Sequence, residues 1–341
     1  MFRVWASLDV NAPLGEIPEH ARRAEAMGFD GVLAPDVMSD GLLVAHAAIL
    51  GTTRIRVGTS ALVCFPRSPM TTGVAAWNLQ KLSGGRFHLG LGPLVRGNIL
   101  RKYSTPWTPP APRMREYVRS LRALFDCWQN DAPLDYQGEH YQFTRMQHFV
   151  KPPPIEHPDI PIHLAAIGPN MTGLAAELGD ALIAHPTNTS PDFLRDITRP
   201  RMAVGAARAG RKLEDVGLIA NPMVAAGRSE AIVKAKRESH REIMAIMFST
   251  PSYWPSLDYY GWRDRGERLH GLVREERWDD LTPLMTDEMM EVMVPTATWD
   301  ELGKRLCDWY GGVADQLLLA IPDDPEDDEA VAGVVSELRG S

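Results

Sequence analysis

The sequence contains little cysteine and no long apolar run. Its 341 residues include three cysteines, Cys64, Cys127 and Cys307, which lie far apart and form no CxxC pair. This spacing argues against a disulfide framework or a zinc knuckle and fits a reducing compartment. The longest uncharged apolar segment, 42–50, is far shorter than the roughly 20 residues of a membrane-spanning helix. The N-terminus also lacks the basic-then-apolar layout of a signal peptide. We therefore expect a cytoplasmic protein with no membrane partner.

Other functional classes also lack their sequence signals. The formal net charge of −8 provides no broad basic field, so nucleic acid is not expected as a partner. The ten histidines show no zinc-ligand spacing and no HExxH motif, so no metal site is predicted. A GxSxG nucleophile elbow and a Walker A loop are both missing. Cys64 follows a predicted strand, where a buried structural cysteine is favoured over a nucleophile.

What is present is an alternation of short apolar runs with longer helical patterns, about eight of each. The predicted strands are 2–8, 31–34, 55–63, 87–91, 162–167, 181–184, 217–224 and 316–321. The predicted helices are 16–28, 41–51, 69–83, 112–129, 170–178, 191–209, 229–249 and 298–309. This alternation favours an α/β fold of the (β/α)₈ TIM barrel type over an open doubly wound sheet. No GxGxxG follows the first strand, which removes the usual sign of a dinucleotide-binding open sheet.

We predict a single barrel domain over residues 1–341 with three insertions. The first, 93–111, follows strand four and is rich in Arg and Pro. The second, 130–160, follows helix four and contains a hairpin turning at Gln137-Gly138. The third, 250–297, follows helix seven, carries several Trp and Tyr residues and is expected to be partly helical. The acidic tail, 322–341, is predicted to form a turn and a short helix. Insertions of this length usually act as lids or binding loops.

The active site of such a barrel lies at the C-terminal ends of its strands. This rule selects Asp9, Asn11, residues 36–40, Ser60, Ala61, residues 92–98, residues 168–171, His185 and Asn221. A polar residue at any one of these positions could equally be a turn former or a helix cap.

The strongest local signal is HLAAIGPNMTGLAAELGD, residues 163–180. An apolar strand ends in Ala165-Ala166, and Gly168-Pro169-Asn170 then opens a helix. Free backbone N–H groups and the helix dipole make such a start a candidate phosphate site. Six cations between residues 96 and 119 could also attract an anionic cofactor or substrate. Pairing with Glu116 along a solvated helix explains part of this cluster equally well.

With these motifs in view, the chain resembles the bacterial luciferase-like monooxygenase superfamily, and within it the coenzyme F420 (deazaflavin)-dependent oxidoreductases of actinobacteria. The segments that carry the resemblance occur in family order: IRVGTSALVCFPRSPM, LSGGRFHLGLG, PWTPPAPRMREYV, LDYQGEHYQF and PIHLAAIGPNMTGLAAELGD. PPAPRMREYV is more distinctive than the generic SGGRF. The resemblance implies a (β/α)₈ barrel that is often a homodimer.

The resemblance also implies roles for particular residues. Ser60-Ala61 matches a strand end that often carries a non-prolyl cis peptide behind the cofactor ring. The resemblance further assigns ring or phosphate contacts to Ala165, Ala166, Gly168, Pro169 and Asn170, and a cofactor-facing polar position to Asn98. Asp36 or Asp40 falls in the strand-two loop, which commonly holds an acidic residue and a histidine.

Three positions depart from the pattern of the relatives. Ser39 and Asn98 stand where histidine is usual, and Pro93 stands where threonine is usual. The remaining candidates for acid–base work are Asp36, Asp40, His46 and His185. The implied function is hydride transfer between coenzyme F420 and a small organic substrate. Two alternatives stay open: an FMN-dependent luciferase-like monooxygenase, and a non-catalytic barrel that binds a flavin or another small ligand.

Overall fold

Eight parallel strands close into a barrel in the order that the alternation predicts. The computed structural model describes residues 1–340. The strands are β1 Arg3–Ser7, β2 Gly31–Ala34, β3 Arg56–Thr59, β4 Phe87–Gly92, β5 Ile162–Ala166, β6 Ala181–Ala184, β7 Gly217–Ala220 and β8 Gln316–Ala320. Each strand pairs with the next, and β1 pairs with β8, which closes the ring. The (β/α)₈ prediction is confirmed.

Nine principal helices surround the strands. They are α1 Ile17–Ala26, α2 Gly41–Gly51, α3 Pro69–Ser83, α4 Pro110–Asn130, α5 Pro169–Leu178, α6 Arg199–Arg208, α7 Glu230–Phe248, α8 Trp299–Tyr310 and α9 Asp328–Gly340. Ser68 and Ser229 cap α3 and α7 with their side chains, and Gly84 closes α3 in the left-handed conformation. None of the helices within residues 1–340 is long and apolar enough to cross a membrane.

Two predicted strands are shorter than expected. The run 55–63 is interrupted at a cis peptide between Ser60 and Ala61, and Leu62–Val63 then pairs with β4. The run 217–224 ends at Ala220, close to Pro222, which has no N–H to donate. A separate strand, Ala225–Gly227, pairs in parallel with Thr296–Thr298, and α7 and the third insertion lie between the two in the chain.

The predicted helix 191–209 is also divided. It consists of a short helix, Pro191–Phe193, a π-helical turn, Leu194–Thr198, and α6. Pro200 lies in the first turn of α6, where its ring and missing N–H disturb the preceding hydrogen bonds. A widened turn before a proline is a common solution to this conflict.

The three insertions carry their own short elements. The first contains the helix Arg96–Arg101, and the second contains the antiparallel strands Tyr136–Gln137 and Gln142–Phe143. The hairpin turn therefore spans 138–141 rather than Gln137-Gly138. The third contains the helices Pro255–Tyr260, Arg263–Arg274 and Asp287–Met293, packed around a separate apolar cluster. The tail forms the short 3₁₀ helix Pro325–Asp327 and then α9.

The barrel interior combines apolar and polar layers. Trp5, Leu33, Ile183, Ile219 and Leu318 form its apolar cluster. A Cβ on Gly31 would lie 2.4 Å from the Trp5 ring, so only glycine leaves space for this indole.

A pair of buried histidines lies on the N-terminal side of that cluster. His88 Nδ1 and His163 Nε2 are 3.1 Å apart, and both rings contact Trp5 edge-on. Burial lowers the pKa of His88, and it lowers the pKa of His163 to about 4. Both histidines are therefore neutral in the folded protein at physiological pH.

Candidate active site

A cavity of about 580 Å³ opens at the C-terminal ends of the barrel strands. Strands β4, β5 and β6 and the residues that follow β2, β3 and β7 line it, and the first and third insertions add Trp107, residues 109–111, Ser252 and Tyr253. Nine residues to which the sequence analysis assigns a cofactor or acid–base role line it: Asp36, Ser60, Ala61, Ala165, Ala166, Gly168, Pro169, Asn170 and His185. The barrel rule therefore brings most of the candidates into one space.

One side of the cavity is built from residues with almost no side chain. A Cβ on Gly92 would lie 3.2 Å from the Ala61 Cβ and 3.6 Å from the Ala165 Cβ. We term Gly92, Ala61 and Ala165 the small-residue wall. The cis peptide between Ser60 and Ala61 is present, as the family resemblance predicts. A flat ring system can approach this wall closely because no larger side chain stands in front of it.

The start of α5 adjoins the small-residue wall. Gly168 precedes the helix with φ −77° and ψ 162° and provides no capping side chain. The next free amides, those of Asn170 and Met171, belong to the first turn, where N–H groups have no partner inside the helix. No atom outside its chain neighbours lies within 4 Å of a Cβ placed on Gly168. An anionic group can therefore approach these amides without obstruction.

Asp36 connects the loops that follow β2 and β3. Its side chain is 4% exposed and accepts hydrogen bonds from the backbone N–H of Gly41 (2.9 Å) and Val63 (2.8 Å). Arg67 Nη1 donates to the same carboxylate at 2.9 Å. Asp36 lines the cavity, but its oxygens are engaged in holding these loops. Arg67, which sequence reasoning did not select, is the cation that neutralises it.

Asp40 lies outside the cavity lining. Its carboxylate caps α2 by accepting from the Leu42 N–H, and Arg67 Nη2 donates to it at 2.8 Å. Burial acts to raise the pKa of Asp40, but the Arg67 hydrogen bond and the α2 amides hold the pKa below its ordinary value. The geometry gives Asp40 a capping and ion-pairing contact, and its predicted catalytic role remains a prediction.

Asn98 also lies outside the cavity lining. It is on the exposed face of the helix Arg96–Arg101, and Arg96 lines the cavity instead. A six-residue helix turns its successive side chains in different directions, so the strand-end rule alone could not choose between Arg96 and Asn98.

Two of the cations in the segment 96–119 hold the fold together. Arg113 donates to the Tyr141 hydroxyl at 2.8 Å and to the Phe65 carbonyl at 2.9 Å, and Arg115 forms an ion pair with Glu177.

Glu116, expected to pair along the helix, instead accepts the backbone N–H groups of residues 139–141 at 2.7–3.2 Å. The helix-pairing explanation is wrong for Glu116, because the hairpin turn of the second insertion folds onto its carboxylate.

His185 follows β6 and lines the cavity. Its ring stacks on Tyr253 of the third insertion, with centroids 4.2 Å apart and an angle of 15° between the planes. Its Nδ1 lies 2.8 Å from the Thr187 Oγ1. Burial lowers the pKa of His185 to about 4, so the imidazole is neutral at physiological pH. Tyr253 was not selected from the sequence, where only the aromatic content of the insertion indicated a contribution.

A second cavity, of about 960 Å³, lies at the opposite end of the barrel. Its lining includes the start of β1, the start of β8 and α9, and none of the predicted site residues.

Comparison with known proteins identifies the family of this barrel. The family model described as luciferase-like monooxygenase matches residues 1–316. The chain belongs to the luciferase-like monooxygenase family. Proteins related to this family member include oxidoreductases and monooxygenases, so the prediction of an oxidoreductase enzyme is confirmed.

The luciferase-like protein has relatives in mycobacteria. It is 33% identical over 311 residues to an uncharacterised protein of Mycobacterium tuberculosis, covering 89% of this chain and 91% of the relative. It is 28% identical over 302 residues to a protein of the same organism that is provisionally named a coenzyme F420-dependent oxidoreductase, covering 84% and 85%.

Solved structures of other luciferase-like proteins share the fold. The coenzyme F420 dependent tetrahydromethanopterin reductase from Methanopyrus kandleri superposes with a TM-score of 0.82 at 20% identity, covering 99% of both chains. The oxygenating constituent of 3,6-diketocamphane monooxygenase from Pseudomonas putida, solved with FMN, gives a TM-score of 0.67 at 12% identity, covering 100% and 98%. The fold thus occurs with both cofactors.

Proposed function

We propose that this protein is an F420-dependent oxidoreductase that transfers hydride between the deazaflavin and a small organic substrate. The observation that carries the proposal is the placement of the small-residue wall directly beside the open start of α5 in one cavity. This arrangement suits a cofactor with a planar ring and a phosphate. The relatives that are named for coenzyme F420 add support.

The residues present fit such a cofactor. A Cβ on Gly92 would fill the space between Ala61 and Ala165, so this wall has space for a ring only because position 92 is glycine. Gly168 and Asn170 would hold the phosphate through the first turn of α5. Ser60, Ala166 and Pro169 complete the same side of the cavity.

When bound, the deazaflavin would supply the hydride chemistry, and the protein would supply orientation and a dry pocket. Trp107 and the residues 109–112 cover the cavity and exclude water from it. Asp36 holds the strand-two loop to the segment after β3 through Arg67 and the Val63 N–H. His185 presents a neutral imidazole from the opposite side of the barrel.

The test is a titration of the purified protein with coenzyme F420 and, separately, with FMN, followed by ligand fluorescence. Saturable binding of F420 that is at least tenfold tighter than binding of FMN is expected. Tighter binding of FMN, with oxygen consumption on reduction, would favour the monooxygenase alternative. Binding of neither cofactor would overturn the proposal and favour a barrel that binds another ligand.

The proposal includes a homodimer, which rests on the family resemblance. Light scattering coupled to gel filtration should give a mass twice that of the chain, and a monomer at micromolar concentration would contradict it.

A further inference from the structure

Three residues behind His185 connect its ring to the third insertion. Thr187 and Asn188 follow His185 in a short 3₁₀ turn, Pro186–Asn188, and are buried. Ser256, also buried, begins the helix Pro255–Tyr260 of the insertion. We term Ser256, Asn188 and Thr187 the relay.

The hydrogen bonds of the relay have fixed directions. The backbone N–H of Ser256 can only donate, and it lies 3.0 Å from Asn188 Oδ1, so this oxygen is the acceptor. The Asn188 Nδ2 therefore donates, and it lies 2.8 Å from Thr187 Oγ1. With its oxygen accepting from Asn188, the Thr187 hydroxyl has its single proton available for His185.

Two groups of Thr187 face His185 and determine which nitrogen of its imidazole carries the proton. Thr187 Oγ1 lies 2.8 Å from His185 Nδ1, and the Thr187 backbone N–H points at the same nitrogen at 3.4 Å. The backbone N–H can only donate, so Nδ1 must carry the lone pair and accept, and the Thr187 hydroxyl then donates to it as well. In a neutral imidazole the proton is then on Nε2. Within residues 1–340 no protein group is hydrogen-bonded to this Nε2.

The stacking partner of His185 belongs to the same insertion. The Tyr253 ring covers one face of the imidazole, and the Tyr253 carbonyl lies 3.4 Å from Asn188 Nδ2. Ring and relay are thus held by one segment, so the orientation of His185 is set before any ligand enters.

We propose that the relay fixes His185 as an Nε2–H donor to an oxygen of the substrate, and that the substrate is an uncharged carbonyl compound. The first part rests on the hydrogen-bond directions around a neutral ring and on the position of His185 in the cavity lining. The second part rests on the proposed function, because it takes the cavity to hold a redox substrate. Thr187 and Asn188 are positioning residues in this proposal.

The cavity lining supports an uncharged carbonyl. A neutral N–H donor needs an acceptor, and many of the other side chains that line this cavity are apolar, among them Leu94, Val95, Trp107, Pro109, Pro110 and Tyr253. Arg96 is the cation of the lining, and it is exposed to solvent. A charged acceptor would lose its hydration against the apolar side chains. An imidazole with its Nε2 protonated also cannot accept a proton there, so His185 does not act as a general base through Nε2.

The test begins with the wild-type protein. Long-range ¹H–¹⁵N NMR of histidine-labelled protein reports the tautomer, and the variant His185→Gln assigns the signals by their loss. The Nε2–H tautomer is expected at pH 7. An Nδ1–H tautomer or a charged ring would overturn the proposal without any variant of the relay.

The substrate class is tested with a matched pair of probes, acetophenone and α-methylstyrene, which has a CH₂ group in place of the carbonyl oxygen. Titrations followed by the His185 signals should show about 3- to 10-fold tighter binding of acetophenone. The preference should weaken in Thr187→Val, which keeps only the backbone N–H on Nδ1, and persist in Thr187→Ser, which keeps the hydroxyl. Equal affinities, no response of His185, or a preference undiminished in Thr187→Val would refute the proposal.

Failure of the proposals for His185 and for the substrate can be distinguished from failure of the proposed function. The tautomer and the probe affinities are measured without turnover, whereas the cofactor is tested by the F420 titration. F420 binding without a carbonyl preference would overturn only the substrate class.

Discussion

The substitution Gly168→Asp tests the phosphate assignment at the start of α5. Gly168 has φ −77° and ψ 162°, a conformation that any residue adopts, and its Cβ position has no neighbour within 4 Å. The variant should therefore fold normally. Its carboxylate would lie about 5 Å from a phosphate bound at the first-turn amides of α5.

The expected repulsion can be worked from that separation. With an effective dielectric constant of about 20 to 40, two unit negative charges about 5 Å apart repel by roughly 2–3 kcal/mol. This corresponds to about 30- to 150-fold weaker binding of F420. Salt should recover part of the loss, because the carboxylate and the phosphate are partly exposed to solvent.

The matched control is Gly168→Asn, which has the same shape without the charge and should weaken binding by less than about threefold. A second control is the deazaflavin core without its phosphate, which should bind the Asp and Asn variants equally. Fluorescence titration at low and high salt measures all of these. If Asp and Asn weaken F420 equally, or if Asp weakens the phosphate-free core as much as F420, the phosphate does not bind at α5.

Three further predictions concern the wall, the strand-two loop and the buried histidines. Gly92→Leu should fill the small-residue wall and abolish cofactor binding in the fluorescence titration, while circular dichroism stays unchanged; retained binding would place the ring elsewhere. Asp36→Asn should lower the free energy of unfolding in urea by about 2 kcal/mol, because Arg67 then loses its buried carboxylate partner. Asp40→Asn should lower it by less than about 1 kcal/mol, because the Asp40 side chain is 41% exposed. Unfolded histidine binds a proton near its ordinary pKa of 6.5, whereas folded His163 does so only near pH 4. The protonation of His163 should therefore lower the free energy of unfolding by up to about 3 kcal/mol as the pH drops from 6.5 to 4. A urea unfolding midpoint that stays constant over this pH range would contradict the prediction.

The sequence predicted the barrel because its signals are local. Each strand is a short apolar run and each helix has its own start or end signal, so the strand count alone favours ring closure. The sequence also predicted Ser60, Ala165, Ala166 and the α5 turn as site residues, because they lie at strand ends that the barrel brings together. Two of the errors in the elements occurred near prolines, Pro200 and Pro222. The effect of Pro200 on a helix depends on how the preceding turn relaxes.

The covering of the cavity could not be predicted in this way. Arg67 and Tyr253 reach the site through contacts with residues 31 and 68 positions away, Asp36 and His185, and no local pattern encodes such a contact. Asn98 lies outside the cavity lining for a related reason, because a short helix inside an insertion has no register fixed by the barrel. Composition indicated that the insertions contribute to the site but not which residues do so.

Two departures from the family pattern, at residues 39 and 98, are related to the position of His185 in the barrel. Ser39 and Asn98, which stand where relatives have histidine, lie in the segments that follow β2 and β4, and neither lines the cavity. His185 follows β6, which lies four strands from β2 in an eight-membered ring and therefore directly across the barrel. The hydrogen-bond donor proposed for the substrate is thus on the far side, held by an insertion. The variant Ser39→His should then leave the carbonyl preference unchanged, whereas Thr187→Val should weaken it. If Ser39→His alone rescued a Thr187→Val protein, the strand-two loop would be the site of substrate contact after all.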